Sequence, residues 1–353
     1  MGKAATEQEK PRQAKARARR RRGRALDRAG VAGARSVRAE LGADPPRGTR
    51  GGGPREASVR YEGVVYRPPS EAGSLILQAT LGCPHNKCTF CGMYKGRRFR
   101  VRPLEELIED LDIALQQYGP HRVRSIFLAD GNTAVLPAEK LVAIGEAAKS
   151  RFPQLERITM YGSAKFLVKK SLEQWRRVAA AGITRIHSGL ESGDAATLDA
   201  IKKGVTPEAA VEAYGHVMRA GIELSVYLMV GVAGVERWRE HALGSAEVLN
   251  QAPPTFIRLR TFVPHPGTPW HDRWRQGDLT LLTAQQALQE TRLLIETLEG
   301  PTTLFSDHVS NFLDVRGRIP DDKPAMLAEI DEALAWPITA FRPPTERLVG
   351  LGL

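Results

Sequence analysis

Residues 74–95 read SLILQATLGCPHNKCTFCGMYK, a short apolar run that passes directly into a loop holding all three cysteines of a 353-residue chain. The apolar run has the length and composition of a strand. Five more runs of the same kind follow, at 123–129 (VRSIFLA), 156–162 (ERITMYG), 184–190 (TRIHSGL), 223–231 (ELSVYLMVG) and 256–263 (FIRLRTFV). Between them lie stretches with apolar residues at three- and four-residue spacing: PLEELIEDLDIALQQYG, PAEKLVAIGEAAKSRF, SLEQWRRVAAAG, a region from 194 to 220 and another near 236–250. Strands alternating with crossover helices predict a parallel sheet. Six successive units without a break predict an α/β fold, a partial (β/α)6 TIM-like barrel, with a doubly wound open sheet as the structural alternative. In either arrangement ligands meet the C-terminal ends of the strands, which is where the cysteine loop begins.

The chain is long enough for an ample core, and no apolar run is long enough to cross a bilayer. The formal charge of +11 is concentrated in residues 1–54, which carry fifteen Lys and Arg against five Asp and Glu and leave the remainder at about +1. That segment is rich in Ala, Gly and Arg, with Arg19 to Arg22 consecutive, so it reads as a disordered basic tail. A solvated extension and a nucleic-acid-binding arm are both compatible with it. The expected organisation is therefore a tail over 1–54, a core over 55–300 and a short C-terminal extension over 301–353 that closes the barrel. The basic start lacks the apolar core of a secretory signal, so the thiols are expected to be reduced, cytoplasmic and ligating.

Cys83, Cys88 and Cys91 are spaced Cys-x4-Cys-x2-Cys among Gly82, Pro84, Asn86 and Gly92, residues that make the turns by which three sulfurs can converge. A four-iron, four-sulfur cluster normally takes four thiolates, so three would leave one iron open to an outside ligand. A zinc site completed by His85 or a distant histidine, and a redox pair at Cys88 and Cys91, are the alternatives.

The triad followed by six β/α units resembles the radical S-adenosylmethionine (radical SAM) superfamily over about residues 70–300. The usual signature there is Cys-x3-Cys-x2-Cys, and this chain has one extra residue among 84–87, with the final Cys-x-aromatic-Cys intact through Phe90. FLADGNTAVLP after the second strand, GLESGDAATLDAIKKG after the fourth and FVPHPGTPW after the sixth resemble the methylthiotransferase-like and anaerobic coproporphyrinogen-dehydrogenase-like branches. The resemblance implies a [4Fe-4S] cluster on Cys83, Cys88 and Cys91 whose open iron binds the amino and carboxylate groups of S-adenosyl-L-methionine. An electron then cleaves a carbon–sulfur bond, and a 5'-deoxyadenosyl radical takes hydrogen from a substrate. It places Phe90 near the adenine, and Asp130, Gly131 and Asn132 where a turn binds the methionine amino group. It implies an electron donor such as flavodoxin or ferredoxin.

Glu191 is a candidate for the ribose hydroxyls or the amino group, or an N-cap or first-turn acid for the helix that follows. Ser163 and Lys165 follow the third strand at the same mouth. Arg258 and Arg260 alternate on the sixth strand and so share a face, where a charge inside the barrel needs an anion such as the methionine carboxylate. Among the histidines, His187 and His241 read as structural, and His265 and His308, with Asn311, as substrate-side candidates. Trp270 and Trp336 read as core. With every cysteine assigned, none is left for an auxiliary cluster or a catalytic thiol, and no cobalamin-sized segment is apparent. The substrate is unidentified. The rival reading is a zinc-stabilised nucleic-acid-binding protein that uses the basic tail.

Overall fold

The side-chain alternation along each strand decides which face of the sheet is packed and which is left for a ligand. The computed structural model describes residues 58–341. The expected tail at 1–54 and the last twelve residues lie outside them. Two units are distinguished. Of the first, residues 1–56 and 69–73, only 69–73 are described, with a turn of 3-10 helix at Pro69–Glu71. The second, residues 57–68 and 74–353, carries the sheet.

Its strands are β1 (Leu75–Leu77), β2 (Thr80–Leu81), β3 (Arg100–Val101), β4 (Ser125–Leu128), β5 (Arg157–Tyr161), β6 (Ile183–Glu191), β7 (Glu223–Val230), β8 (Phe256–Thr261), β9 (Thr302–Phe305) and β10 (Arg316–Ile319). Eight of them form one sheet in the order β1-β4-β5-β6-β7-β8-β9-β10, and β2 pairs with β3 in a small ribbon. All six expected strands are present, and β1 through β9 of the main sheet pair in parallel. The crossovers are α1 (Leu104–Tyr118), α2 (Ala138–Arg151), α3 (Ala164–Leu167), α4 (Leu172–Ala180), α5 (Ala195–Ala200), α6 (Pro207–Arg219), α7 (Trp238–Gln251), α8 (Pro269–Gln276) and α9 (Ala284–Thr297), with α10 (Lys323–Leu334) after the last strand. Capping is explicit in the sequence: Ser171 with Gln174 and Thr283 with Gln286 form capping boxes, and Thr206 caps α6 ahead of Pro207.

The helix-facing side of the sheet is apolar. Ile126, Leu128, Ile158, Met160, Ile186, Leu224, Val226, Ile257, Leu259 and Leu304 join Leu107, Leu141, Val178, Val217, Leu249 and Leu288 in one core. The intervening residues, Phe127, Thr159, Tyr161, His187, Ser225, Tyr227, Arg258, Arg260 and Phe305, therefore face the other side, inside the partial barrel. Fully apolar strands buried on both faces would have filled this side. Phe127, Thr159, His187 and Ser225 are fully buried there, while Tyr161, Tyr227, Arg258, Arg260 and Phe305 stay partly exposed.

The C-terminal segment differs from expectation. It adds β9 and β10 to the edge of the sheet, so the sheet runs across residue 300, and only the loop between these strands reaches the barrel mouth: Ser310 Oγ and Asn311 Oδ1 accept from Thr261 N at 3.1 and 2.7 Å. Trp270 is buried as expected, whereas Trp336 is 36% exposed and stacks on Phe341. Trp336 follows α10 and meets the core only at its edge, through Phe341.

One buried ion pair anchors the exit of the cysteine loop. Arg102 donates to Gln78 O at 3.1 Å and to Asp110 Oδ2 at 2.7 Å, with both side chains almost wholly buried, and Arg102 N donates to Ala79 O at 3.2 Å. Arg102→Met leaves the Asp110 carboxylate buried with only Arg60 as a charged partner and should lower stability by about 3 kcal/mol in anaerobic urea denaturation. Arg100→Met, which removes an exposed pair with Glu62, should cost less than about 1 kcal/mol. Equal losses would remove the anchoring role assigned to Arg102.

Candidate active site and metal centre

The cysteine loop is fixed to the mouths of three other strands. After β6, Ile201 O accepts from Thr89 N at 3.0 Å; after β8, Trp270 N donates to Thr89 O at 3.1 Å; after β4, Asp130 Oδ2 accepts from Gly82 N at 2.8 Å. Bonds from loops after β6 and β8 back to the loop after β1 require the sheet to curl, as in a partial barrel. The extra residue in the cysteine spacing is absorbed at Asn86, whose backbone is left-handed at φ 42°. Asn86 N donates to Cys83 Sγ at 3.5 Å, and its side chain donates to Tyr94 O at 2.8 Å. Gly131 is needed for close approach, since a Cβ there would sit 2.9 Å from Cys83 Cβ and 2.8 Å from the Tyr94 ring.

The three cysteines are free thiols, half-buried, and each lies within electrostatic reach of the others. Burial pushes Cys88 and Cys91 up, and Lys203 opposes it at both. His85 does not complete a zinc set. Its Nε2 donates to Lys202 O at 2.7 Å, which leaves Nδ1 as the acceptor for Lys165 Nζ at 3.0 Å, so neither nitrogen is free to ligate. Burial, with Lys165 nearby, holds this imidazole below its ordinary pKa.

Glu191 ends β6 in a left-handed conformation, φ 68°, that sends its side chain and its carbonyl in different directions. The carboxylate meets Lys203 Nζ at 2.9 Å, with the two side chains 13% and 10% exposed. It folds over Gly189, where a Cβ would fall 2.0 Å from Glu191 Oε1. The helix-capping role considered for Glu191 belongs instead to Asp194, which accepts from Thr197 N at 2.9 Å. Burial disfavours charge on Lys203, yet Glu191 and Cys88 outweigh it and raise its pKa. The Phe90 ring lies 5.8 Å from the same ammonium. Behind them the Glu191 carbonyl contacts His241 Nε2 at 3.0 Å, and His241 Nδ1 pairs with Glu290 at 2.8 Å. Burial lowers the His241 pKa, but Glu290 more than compensates and raises it.

The structure thus brings Phe90, Glu191, Lys203 and Cys88 together. A second group surrounds Cys83: Asp130 turns its carboxylate onto Gly82, and Asn132 Oδ1 accepts from Ser163 N at 3.1 Å, while the Ser163 hydroxyl leaves its helix uncapped. His265 lies against the loop, since a Cβ on Gly92 would meet its Nδ1 at 3.0 Å. Arg258 on β8 and His308 after β9 make up a third group. Asn311 is committed to structure, donating to Leu259 O at 2.8 Å and accepting from Thr261 N and Oγ1 at 2.7 and 3.0 Å. The sequence reading missed Lys203 and Glu290 and took His241 as merely structural. Lys203 stands beside Lys202 in KKG, and no local pattern says which of the two turns inward.

Comparison with known proteins agrees with this geometry. Residues 77–244 match the radical SAM superfamily model. They form a radical SAM domain. An uncharacterized methyltransferase of Pyrococcus horikoshii is 24% identical over 196 residues, 55% of this chain and 40% of that protein. The 4'-phospho-dehydrooxetanocin synthase of Priestia megaterium is 28% identical over 169 residues, 44% of this chain and 23% of that protein. The chain thus spans less than half the length of either relative. In fold it is similar to the radical S-adenosylmethionine methyltransferase TsrM of Kitasatospora setae, with a TM-score of 0.50 and 18% identity, covering 80% of this chain and 57% of that one. Radical SAM domains bind a [4Fe-4S] cluster and S-adenosylmethionine and need a reductant. The donor set here fits both: three thiols on a braced loop, with a buried cation and carboxylate beside one of them. No described helix is long and apolar enough to cross a membrane.

The His241–Glu290 pair gives a pH test. Because the folded pKa of His241 is raised above the ordinary 6.5, the pair's stabilisation is full below 6.5 and is lost as pH climbs through the folded value. Glu290→Gln should therefore cost about 3 kcal/mol near pH 6 and less near pH 9. A difference that does not change with pH, in denaturation curves of both proteins, would contradict the pairing.

Proposed function

We propose that this chain is a radical SAM enzyme acting on an unidentified substrate, and the observation that carries the reading is the Glu191–Lys203 pair beside Cys88. An ion pair that lines a site is complementary to a zwitterion, and the methionine end of S-adenosylmethionine is one. In the liganded site Lys203 takes the carboxylate, by a charge-assisted bond in a place sheltered from water. Glu191 accepts from the ammonium or from ribose hydroxyls. Phe90 offers a face to the adenine, and Asn132 and Ser163 add polar contacts at the β4 and β5 mouths. Asp130 acts through Gly82 as a positioning residue, and Asn86 and Tyr94 hold Cys83 in place.

When bound, the cluster supplies the electron that cleaves S-adenosylmethionine and so generates a radical able to take a substrate hydrogen atom. The chain's part is to ligate through Cys83, Cys88 and Cys91, to orient the sulfonium and to exclude water. Free thiols and the need for a low-potential reductant support a cytoplasmic enzyme served by flavodoxin or ferredoxin. The activities and substrates of the two relatives are not carried over. The zinc-stabilised nucleic-acid reading has lost its nearby fourth ligand, His85, and its basic tail lies outside the described residues.

The test is anaerobic reconstitution, iron and sulfide analysis, and incubation with dithionite and S-adenosylmethionine while 5'-deoxyadenosine is followed by mass spectrometry. About four irons and formation of the nucleoside are expected, both lost when the three cysteines are changed to Ala. Lys203→Gln should raise the S-adenosylmethionine KM by about 10- to 100-fold, the loss of one charge-assisted bond. Bound zinc without nucleoside formation would overturn the reading.

A further inference from the structure

Two arginines inside the barrel are not used by the site above. Arg258 and Arg260 lie two residues apart on β8, on the face turned away from the core, so their backbones are about 7 Å apart and their side chains are parallel. Each guanidinium is held by an aromatic ring of a neighbouring strand: Arg258 lies 4.7 Å from the centroid of Phe305 on β9, and Arg260 lies 5.1 Å from that of Tyr227 on β7. Stacking of this kind orients the planar fork but leaves its N–H edge unsatisfied. Arg258 has one carboxylate nearby, Asp307 at 3.9 Å, the outer limit of an ion pair, and its Nε is buried without a partner. Arg260 has no carboxylate partner among the described residues.

The loop after β9 supplies a third donor. Ser310 N donates to His308 Nδ1 at 3.2 Å, which makes Nδ1 the acceptor and puts the ring proton on Nε2. Burial, with Arg260 adding to it, lowers the His308 pKa to about 4, so this imidazole is neutral at pH 7 and does not add a third charge. Asn311 fixes that loop to the end of β8. Further along the same face, Thr159 Oγ1 and Ser225 Oγ are fully buried without hydrogen-bond partners, and His187, Tyr161, Tyr227 and Phe127 form a row of rings 5.2 to 6.5 Å apart.

We propose that Arg258 and Arg260, with His308 Nε2–H, form the seat for an oxyanion of the substrate, a carboxylate or a phosphoryl group, with the Tyr227 ring beside Arg260 as its apolar neighbour. Two forks two residues apart match an anion with several oxygens. The pair also lies on β8, the sixth strand of the sheet, whereas the methionine end is taken by Lys203 after β6. Arg258 is thereby assigned to the substrate and not to the methionine carboxylate. This inference rests on the radical SAM reading for its meaning, but it can fail independently, because the seat is read by anion binding and the radical chemistry by nucleoside formation.

The experiment is titration of the reconstituted full-length protein with inorganic phosphate and, separately, with benzoate, followed by calorimetry. In parallel, arginines in the unmutated protein are modified with phenylglyoxal and mapped by mass spectrometry. Saturable binding of at least one probe is expected, weakened at least tenfold by Arg260→Gln and by Arg258→Gln but not by Arg176→Gln, which removes an exposed cation on α4. The same probe should protect the peptide carrying Arg258 and Arg260 from phenylglyoxal, a readout that survives even if the variants do not fold. Binding of phosphate alone assigns a phosphoryl substrate, binding of benzoate alone a carboxylate, and binding of both an oxyanion seat that accepts either. No saturable binding, or binding that neither shields this peptide nor responds to either substitution, would overturn the proposal.

Discussion

The left-handed turn at Glu191 is the constraint on which the site depends. A non-glycine residue at φ 68° costs energy, and it persists because three separate contacts require it. The carboxylate goes to Lys203, the carbonyl goes to His241, and Gly189 leaves the space through which the side chain folds back. Without this turn the carboxylate would follow the strand's alternation, and Lys203 would face the cysteine loop uncompensated. Glu290 makes the arrangement rigid from behind, because it pairs with His241 and also accepts from Gly231 N at the end of β7. The ends of β6 and β7 are therefore held by one acid on α9.

The cysteine loop depends on the same region. Its midpoint, Thr89, bonds to Ile201 in the segment that ends in Lys203, so the loop and the cation are positioned by one piece of chain. Its other bonds reach β4 through Asp130 and the α8 entrance through Trp270. A loop with three attachments can present three thiols in a fixed arrangement despite a spacing one residue longer than usual. Asn86 shows how: its left-handed backbone makes the extra turn, and its side chain closes that turn onto Tyr94.

Much of the fold was legible because strand alternation and helix periodicity are local. The six runs named from sequence are β1 and β4 through β8. The last two strands were missed because TTLF and RGRI are too short to carry a period, and they become strands only by pairing with an existing edge. The cysteines were legible for their chemistry and spacing. Lys203 was not, since the choice between two adjacent lysines is made by Ile201 bonding to Thr89, a contact 112 positions away in the chain. His241 and Glu290 lie on separate helices, and no spacing rule connects them. Asn311 read as a substrate-side group because it stands near His308 in the sequence, yet its amide is used in joining a loop to β8.

The central claim is that Cys83, Cys88 and Cys91 hold a four-iron cluster with one iron reserved for S-adenosylmethionine. The most direct measurement is electron paramagnetic resonance of the anaerobically reconstituted, dithionite-reduced protein before and after S-adenosylmethionine is added. The account predicts the signal of a reduced [4Fe-4S] cluster whose line shape and g values change on addition, with Lys203→Gln retaining the signal but needing more S-adenosylmethionine to change it. A protein without such a signal, or with one that ignores S-adenosylmethionine at any concentration, would contradict it.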